Sequence, residues 1–156
     1  MKPIFCWIAL LAVAQSCLLL GADGEYARRS LAGITSLTVL VEELPAAAVN
    51  LGLTKEALQT DVELKLRLAG MKIESTAPAM LYVNLNVGGD GSAANIVVEL
   101  DQSVVLARNP SIMVWGVATW STSVLVTNTN ASGIRGDTKD LVDAFLNAWL
   151  SVNPKR

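Results

Sequence analysis

The sequence predicts an α+β fold, a two-layer sandwich in which a mostly antiparallel sheet of four to five strands carries two helices on one face. Apolar and polar residues alternate on both sides of a glycine-rich turn at 88–91, which is typical of a β-hairpin. Two further stretches, 55–69 and one from about 133 or 137 to 151, repeat their apolar residues with the period of a helix. The predicted order of elements is therefore β-α-(β)-β-β-β-α.

The hairpin sorts its side chains consistently. Closing the turn over 88–91 places Leu85 opposite Ala94 and Tyr82 opposite Val97. Apolar side chains then meet one another on one face, as a sheet with one buried face requires. The alternation thus predicts two strands and the face that packs against the helices.

The elements before the hairpin follow from local patterns. Alternation at 36–43 predicts a first strand with one cleanly apolar face. Thr54 is a favourable N-cap for the helix over 55–69, whose apolar stripe would lie on the sheet. Residues 71–74 add a short strand.

A further strand is predicted at 112–121, and its two faces are both partly apolar. The preferred register places Leu100 opposite Ala118, with Trp120 on the helix-facing side and Trp115 on the other. A shift of one residue would exchange the two tryptophans, because side chains alternate between the faces of a strand.

In outline this order of elements resembles small periplasmic α+β modules such as the amino-terminal domain of TolB. The resemblance implies an envelope setting and the same two-layer architecture. It carries no activity to this chain, because no functional motif is shared and one fold serves many functions.

The first 24 residues predict a secretory signal peptide that is cleaved before Glu25, which leaves 25–156 as a single α+β domain. A lysine, a long apolar run and small residues follow one another, in a pattern typical of bacterial export. Two alternatives are an uncleaved membrane anchor over 3–22 and a lipoprotein acylated at Cys17. Both cysteines lie in this segment, so the predicted mature chain has neither a disulfide nor a thiolate.

Composition excludes several kinds of protein. Hydrophobic residues make up 52% of the chain and charged ones 17%, and the net charge of −2 comes from scattered residues. We therefore expect no nucleic-acid binding, which usually requires a basic stripe. The chain contains no histidine, the commonest general base and metal ligand. We expect no cofactor, no metal and no enzymatic activity.

One pair of carboxylates provides an alternative. Glu99 and Asp101 point to the same face of a strand and lie within about 7 Å of each other. Glycosidases and aspartic proteases use such pairs, so a hydrolase of envelope polymers is the enzymatic alternative. The predicted position on an open sheet face, with no cleft around it, disfavours that alternative.

Two other motifs have simpler structural explanations. Arg135-Gly136-Asp137 matches the tripeptide that integrins bind, but its Asp also suits a helix start. Asp137, Asp140 and Asp143 recur every three residues, and a straight helix cannot direct that many oxygen ligands at one cation. We interpret them as a solvated helix face.

The most informative surface is the sheet face away from the helices, which is more apolar than a solvated face should be. We predict that it binds a protein partner or a second copy of this chain, with a membrane involved only if the N-terminal segment is retained. The predicted contact residues are Tyr82, Val97, Val105, Met113, Trp115 and Val117. The competing interpretation is that 25–34 or 124–126 covers this face.

The sequence thus predicts an exported, periplasmic or secreted, non-enzymatic binding or assembly module. The alternatives are the hydrolase and a membrane-tethered accessory subunit.

Overall fold

The computed structural model describes residues 24–127 and 129–154. These form a five-stranded sheet with the strand order β2-β1-β3-β4-β5. The strands are β1 (Ser36–Val41), β2 (Lys72–Ile73), β3 (Ala79–Val87), β4 (Ala93–Leu106) and β5 (Asn109–Thr127). The helices are α1 (Glu25–Arg29), α2 (Ala46–Asn50), α3 (Lys55–Leu68) and α4 (Ala131–Val152). Residues 1–23 lie outside the described residues, and they include the predicted anchor, the predicted lipoprotein cysteine and all but the last residue of the predicted signal peptide at 1–24.

The predicted fold class is confirmed, since α3 and α4 contact each other and the strands of one sheet. β3, β4 and β5 are antiparallel neighbours, whereas β1 pairs in parallel with both β2 and β3. Parallel neighbours need a crossover connection, and α3 supplies it between β1 and β2. Among the described helices, none is long and apolar enough to cross a bilayer.

The core lies between the sheet and the two long helices. Alternate residues of the strands supply one side of it, and the stripes of α3 and α4 supply the other. Its largest fully buried side chains include Trp120, Phe145, Leu58, Leu81 and Leu100. The sheet therefore has one buried face and one that the helices leave uncovered, which we call the outer face.

Both long helices begin at a side chain that caps them. The Thr54 hydroxyl accepts from the Ala57 amide at 3.2 Å, as the sequence predicts. The Asn130 side chain accepts from the Gly133 amide at 2.9 Å, so α4 begins at Ala131, before the predicted start. The short helices α1 and α2 were not predicted, because five residues are too few to show a helical period.

The predicted pairing of the β3–β4 hairpin is wrong by two residues, although its faces are right. Leu85 lies opposite Ile96 rather than Ala94, and Tyr82 lies opposite Glu99 rather than Val97. The turn is centred one residue later because Asp90 Oδ1 accepts from both the amide and the hydroxyl of Ser92. A shift of two residues preserves the side-chain alternation, so the buried face is unchanged.

The last strand is much longer than predicted, since β5 spans Asn109–Thr127 without a break. Trp120 is in the core, as the preferred register has it, but it lies opposite Leu100, where Ala118 was predicted. Irregularities in the β4–β5 ladder change the pairing between Leu100 and Val104. Beyond them, Val104 lies opposite Val114 as predicted. Each extra residue in β5 shifts the pairing of β5 with β4 by one position. The alternation of apolar residues does not reveal where such an extra residue lies.

Candidate binding surface

The β4–β5 hairpin continues past the rest of the sheet. β3 begins at Ala79, which pairs with Gln102, so the residues of β4 beyond Gln102 have β5 as their only strand neighbour in the described chain. We call this two-stranded extension, residues 103–116, the arm. A two-residue turn at 107–108 joins its strands.

The arm is apolar and exposed on both faces. Arg108 is the one charged residue among its fourteen. Trp115 is 76% exposed, and the other exposed large apolar side chains of the arm are Val105, Ile112, Met113 and Val114. An isolated two-stranded hairpin is marginally stable in water, and a contiguous apolar patch of this kind marks an interaction site in soluble proteins.

Beside the arm, the outer face carries a polar network. Glu42 accepts hydrogen bonds from Tyr82 and from the Asn84 amide, and the Asn86 amide donates to Asn84 Oδ1. The hydrogen bond to Glu42, burial, and the negative charges of Glu42, Glu99 and Asp101 together raise the pKa of Tyr82 to about 12. The network fixes these side chains in place at the centre of the face.

Glu99 and Asp101 lie on the same face, as predicted, and no cation pairs with either in the described ranges. Burial, and then the charge of Asp101, raise the pKa of Glu99. Burial also raises the pKa of Asp101. Within the described chain, cavities of about 150 to 540 Å³ open elsewhere, and neither carboxylate lines one of them. The pair is therefore on an open surface.

Neither of the two segments that the competing interpretation places over the outer face covers it. α1 contacts α4 and β5, and the chain after it buries Leu31 in the core on the helix side. Residues 124–126 belong to β5 and lie within the sheet. In the described ranges, the outer face and the arm are thus open to solvent.

Most of the predicted contact residues share the outer face. Tyr82 and Val97 are half-buried there, and Val105, Met113 and Trp115 extend it along the arm. Val117 departs from the prediction: it lies opposite Gln102, whose side chain donates to the Ser30 carbonyl on the helix side.

On β5, sequence reasoning missed three exposed apolar residues, namely Ile112 and Val114 on the arm and Leu125 near the end of the strand. Their apolar alternation is visible in the sequence. Their exposure is not, because it depends on where β3 begins for the two arm residues and on the position of β5 at the edge of the sheet for Leu125.

The integrin-like tripeptide lies on the first turns of α4. The Arg135 guanidinium donates twice to Asp61 of α3, at 2.7 and 3.0 Å, and so is not presented at a loop tip. Asp143 pairs with Lys65. The described residues contain no group of three or more potential metal ligands.

The hydrogen bond between Tyr82 and Glu42 can be tested by titrating the Tyr82 phenol. In a Tyr26→Phe variant Tyr82 is the single tyrosine, and we expect its phenol to titrate with a pKa of about 12. Adding Glu42→Gln removes the charged acceptor, so the pKa should fall towards the ordinary value of about 10. Tyrosinate absorbance against pH measures both values. An unchanged pKa in the Gln variant would mean that Glu42 does not hold the phenol.

No protein-family model matches this chain, and no curated protein matches it in sequence. Among solved structures, a dodecameric PelC variant from Paraburkholderia phytofirmans is 19% identical, with 75% of this chain and 86% of that chain covered and a TM-score of 0.40. A minor lipoprotein from Acinetobacter baumannii is 12% identical, with coverage of 73% and 91% and a TM-score of 0.34. The rare lipoprotein B from Shewanella oneidensis is 14% identical, with coverage of 76% and 96% and a TM-score of 0.30. Likenesses of this size carry no conclusion about the function of this chain.

Proposed function

We propose that this protein is an exported, non-enzymatic module that binds a protein partner through the arm and the adjoining outer face. The observation that carries the proposal is the arm itself, which exposes apolar side chains on both faces around a single charge. Burying those side chains against a partner removes them from water, the main driving force of protein association. Trp115 is the expected anchor, since tryptophan is enriched among residues that dominate binding energy.

The charges of the outer face favour a different protein over a second copy stacked face to face. Glu42, Glu99 and Asp101 lie on this face, and no lysine or arginine lies beside them on β1, β3 or β4. Face-to-face stacking of two copies would bring these carboxylates together, and their like charges would repel one another. A partner with an apolar groove for the arm and basic groups towards the carboxylates would match both parts of the surface.

Export is supported by the sequence of the first 24 residues, whose lysine, apolar run and small residues fit a signal peptide. The open setting of Glu99 and Asp101 supports a binding role over hydrolysis. Their raised pKa values are the one observation that favours the hydrolase, and substrate turnover lost in both Glu99→Gln and Asp101→Asn would establish it.

A crosslinking experiment in the native host tests the proposal. A photoreactive phenylalanine analogue at position 115 should give a specific crosslinked species that mass spectrometry identifies. The same analogue at Leu68, which is 78% exposed on α3, is the matched control and should give none. Failure to find a species above the control would contradict a role for the arm.

The Trp115→Glu substitution then measures how much Trp115 contributes to the binding affinity. With the crosslinked partner purified, we expect binding about thirtyfold weaker than wild type, equivalent to about 2 kcal/mol. Leu68→Glu should leave the affinity unchanged. Equal affinities for wild type and Trp115→Glu would exclude Trp115 as the anchor.

A further inference from the structure

The two edges of the sheet are built differently. β2 is two residues long and carries the exposed Lys72, and short charged strands keep natural edges from pairing with other chains. At the other edge, β5 is 19 residues long. It contains no charged residue from Asn109 to Thr127.

The first part of β5 has other protection. Pro110 lies near its start, Gly116 adopts φ +63° at an irregularity, and the Ser30 hydroxyl donates to the Thr119 carbonyl at 3.3 Å. Prolines, bulges and covering groups all hinder pairing with another strand. The seven residues that follow Trp120, the 121–127 segment, have none of these features.

The hydrogen-bond pattern establishes which backbone groups of this segment face outwards. The Gly88 amide donates to the Ala93 carbonyl at 2.9 Å, so Ala93 directs its backbone groups towards β3. Because these directions alternate along a strand, even-numbered residues of β4 from 94 to 100 face β5. Their partners on β5 are even-numbered as well. The residues that direct their amides and carbonyls to the open edge are therefore Ser121, Ser123, Leu125 and Thr127.

We propose that the 121–127 segment pairs antiparallel with the same segment of a second copy of the chain, about a two-fold axis at Val124. The two five-stranded sheets then form one continuous sheet. Ser123 lies opposite Leu125 of the second copy, and Ser121 lies opposite its Thr127. All four outward-facing residues are used, which gives about eight backbone hydrogen bonds, two for each opposed pair.

The segment is complementary to itself. A two-fold axis brings each residue against one of the same segment, and this segment contains no charged residue that the pairing would leave without a counter-charge. Its β-branched residues Thr122, Val124 and Val126 favour strand pairing. Leu125, 73% exposed in the single chain, gains a neighbour across the new pair.

This pairing is independent of the proposed function. The two Trp115 residues would lie about 60 Å apart, on opposite sides of the axis, at about 3.3 Å per residue. Both arms stay free. Trp115→Glu should therefore leave the dimer intact, so that the two proposals can fail separately.

Light scattering on the protein, purified in the form that accumulates in its host, tests the pairing. Wild type should move from one to two chain masses as its concentration rises. Leu125→Lys puts a charge on the pairing edge and should stay at one chain mass. Leu68→Lys introduces the same charge at a similarly exposed site on α3 and should behave as wild type. A wild-type protein that stays at one chain mass at every concentration would overturn the proposal, also if the reason is that another segment of the chain covers the edge.

Disulfide crosslinking tests the axis. Opposed residues that do not exchange backbone bonds have Cα atoms about 4.5 Å apart, within disulfide range, so Val124→Cys should form a 124–124 disulfide between copies. Thr127→Cys should not, because its two copies would be about 20 Å apart. Peptide mapping identifies the linked positions. Equal crosslinking by both variants would refute this register.

Discussion

The Trp120→Ala variant is expected to lose about 3–5 kcal/mol of unfolding free energy, the largest loss that we predict for a single residue. Trp120 is 1% exposed and lies opposite Leu100 in the core. Its ring meets Phe145 of α4 edge-on, with ring centroids 5.4 Å apart and an interplanar angle of 68°. Alanine would leave a cavity between the sheet and α4 and would remove that aromatic pair.

Trp115→Ala is the matched control, since it makes the same change on the same strand. Trp115 is 76% exposed, so its loss should change stability by less than about 0.5 kcal/mol. Urea denaturation followed by tryptophan fluorescence and by circular dichroism measures both variants. Similar losses at the two positions would show that Trp115, too, is buried in solution.

The two tryptophans also show what sequence patterns can and cannot predict. The buried face of each strand follows from apolar alternation, because a sheet with one covered face requires it. The strand at 112–121 is the exception, because both of its faces carry apolar side chains, so Trp120 was placed inside only through the preferred register with β4. That register gave the correct face but the wrong partner: Leu100 meets Trp120, where Ala118 was predicted. Alternation is unchanged by a shift of two residues, so it constrains the face and leaves the register open.

Local irregularities explain most of the remaining errors. Gly116 adopts φ +63°, a conformation that glycine tolerates and that side chains disfavour. In the structure it lies where the β4–β5 ladder gains a residue, which lets β5 continue to Thr127. The same gain places Val117 on the helix side.

The candidate surface could be predicted in composition but not in shape. Apolar residues such as Met113 and Trp115 on a strand face are visible in the sequence. That they project from the sheet follows from the start of β3 at Ala79, which determines how far the neighbouring strand has support. The open edge at 121–127 depends likewise on strand order, which alternation does not encode.

The second large effect concerns the contact between α3 and α4. We expect Asp61→Asn to lower the unfolding free energy at neutral pH by about 1.5 kcal/mol, the lower end of the range for hydrogen bonds to charged groups. Asp61, with 12% of its side chain exposed, binds Arg135 through both carboxylate oxygens and lies 3.3 Å from the Lys139 ammonium. The two cations reach solvent, which limits the cost of leaving them unpaired.

The loss of stability caused by Asp61→Asn should depend on pH in a defined direction. The hydrogen bonds from Arg135, and then from Lys139, lower the pKa of Asp61, although burial opposes them. A carboxyl group with a lower pKa in the folded state stabilises the protein above its unfolded pKa of about 4, and loses that contribution as the pH falls through the folded value. The difference between wild type and Asp61→Asn should therefore be complete at pH 7 and shrink below about pH 4.

Asp140→Asn is the control for this titration, since Asp140 is an exposed aspartate on α4 that has no ion pair among the described residues. At pH 7, where Asp61→Asn has its full effect, Asp140→Asn should differ little from wild type. Denaturation curves at several pH values separate the variants. A difference for Asp61→Asn that stays constant down to pH 2 would mean that the ionised carboxylate is not what holds the helices together.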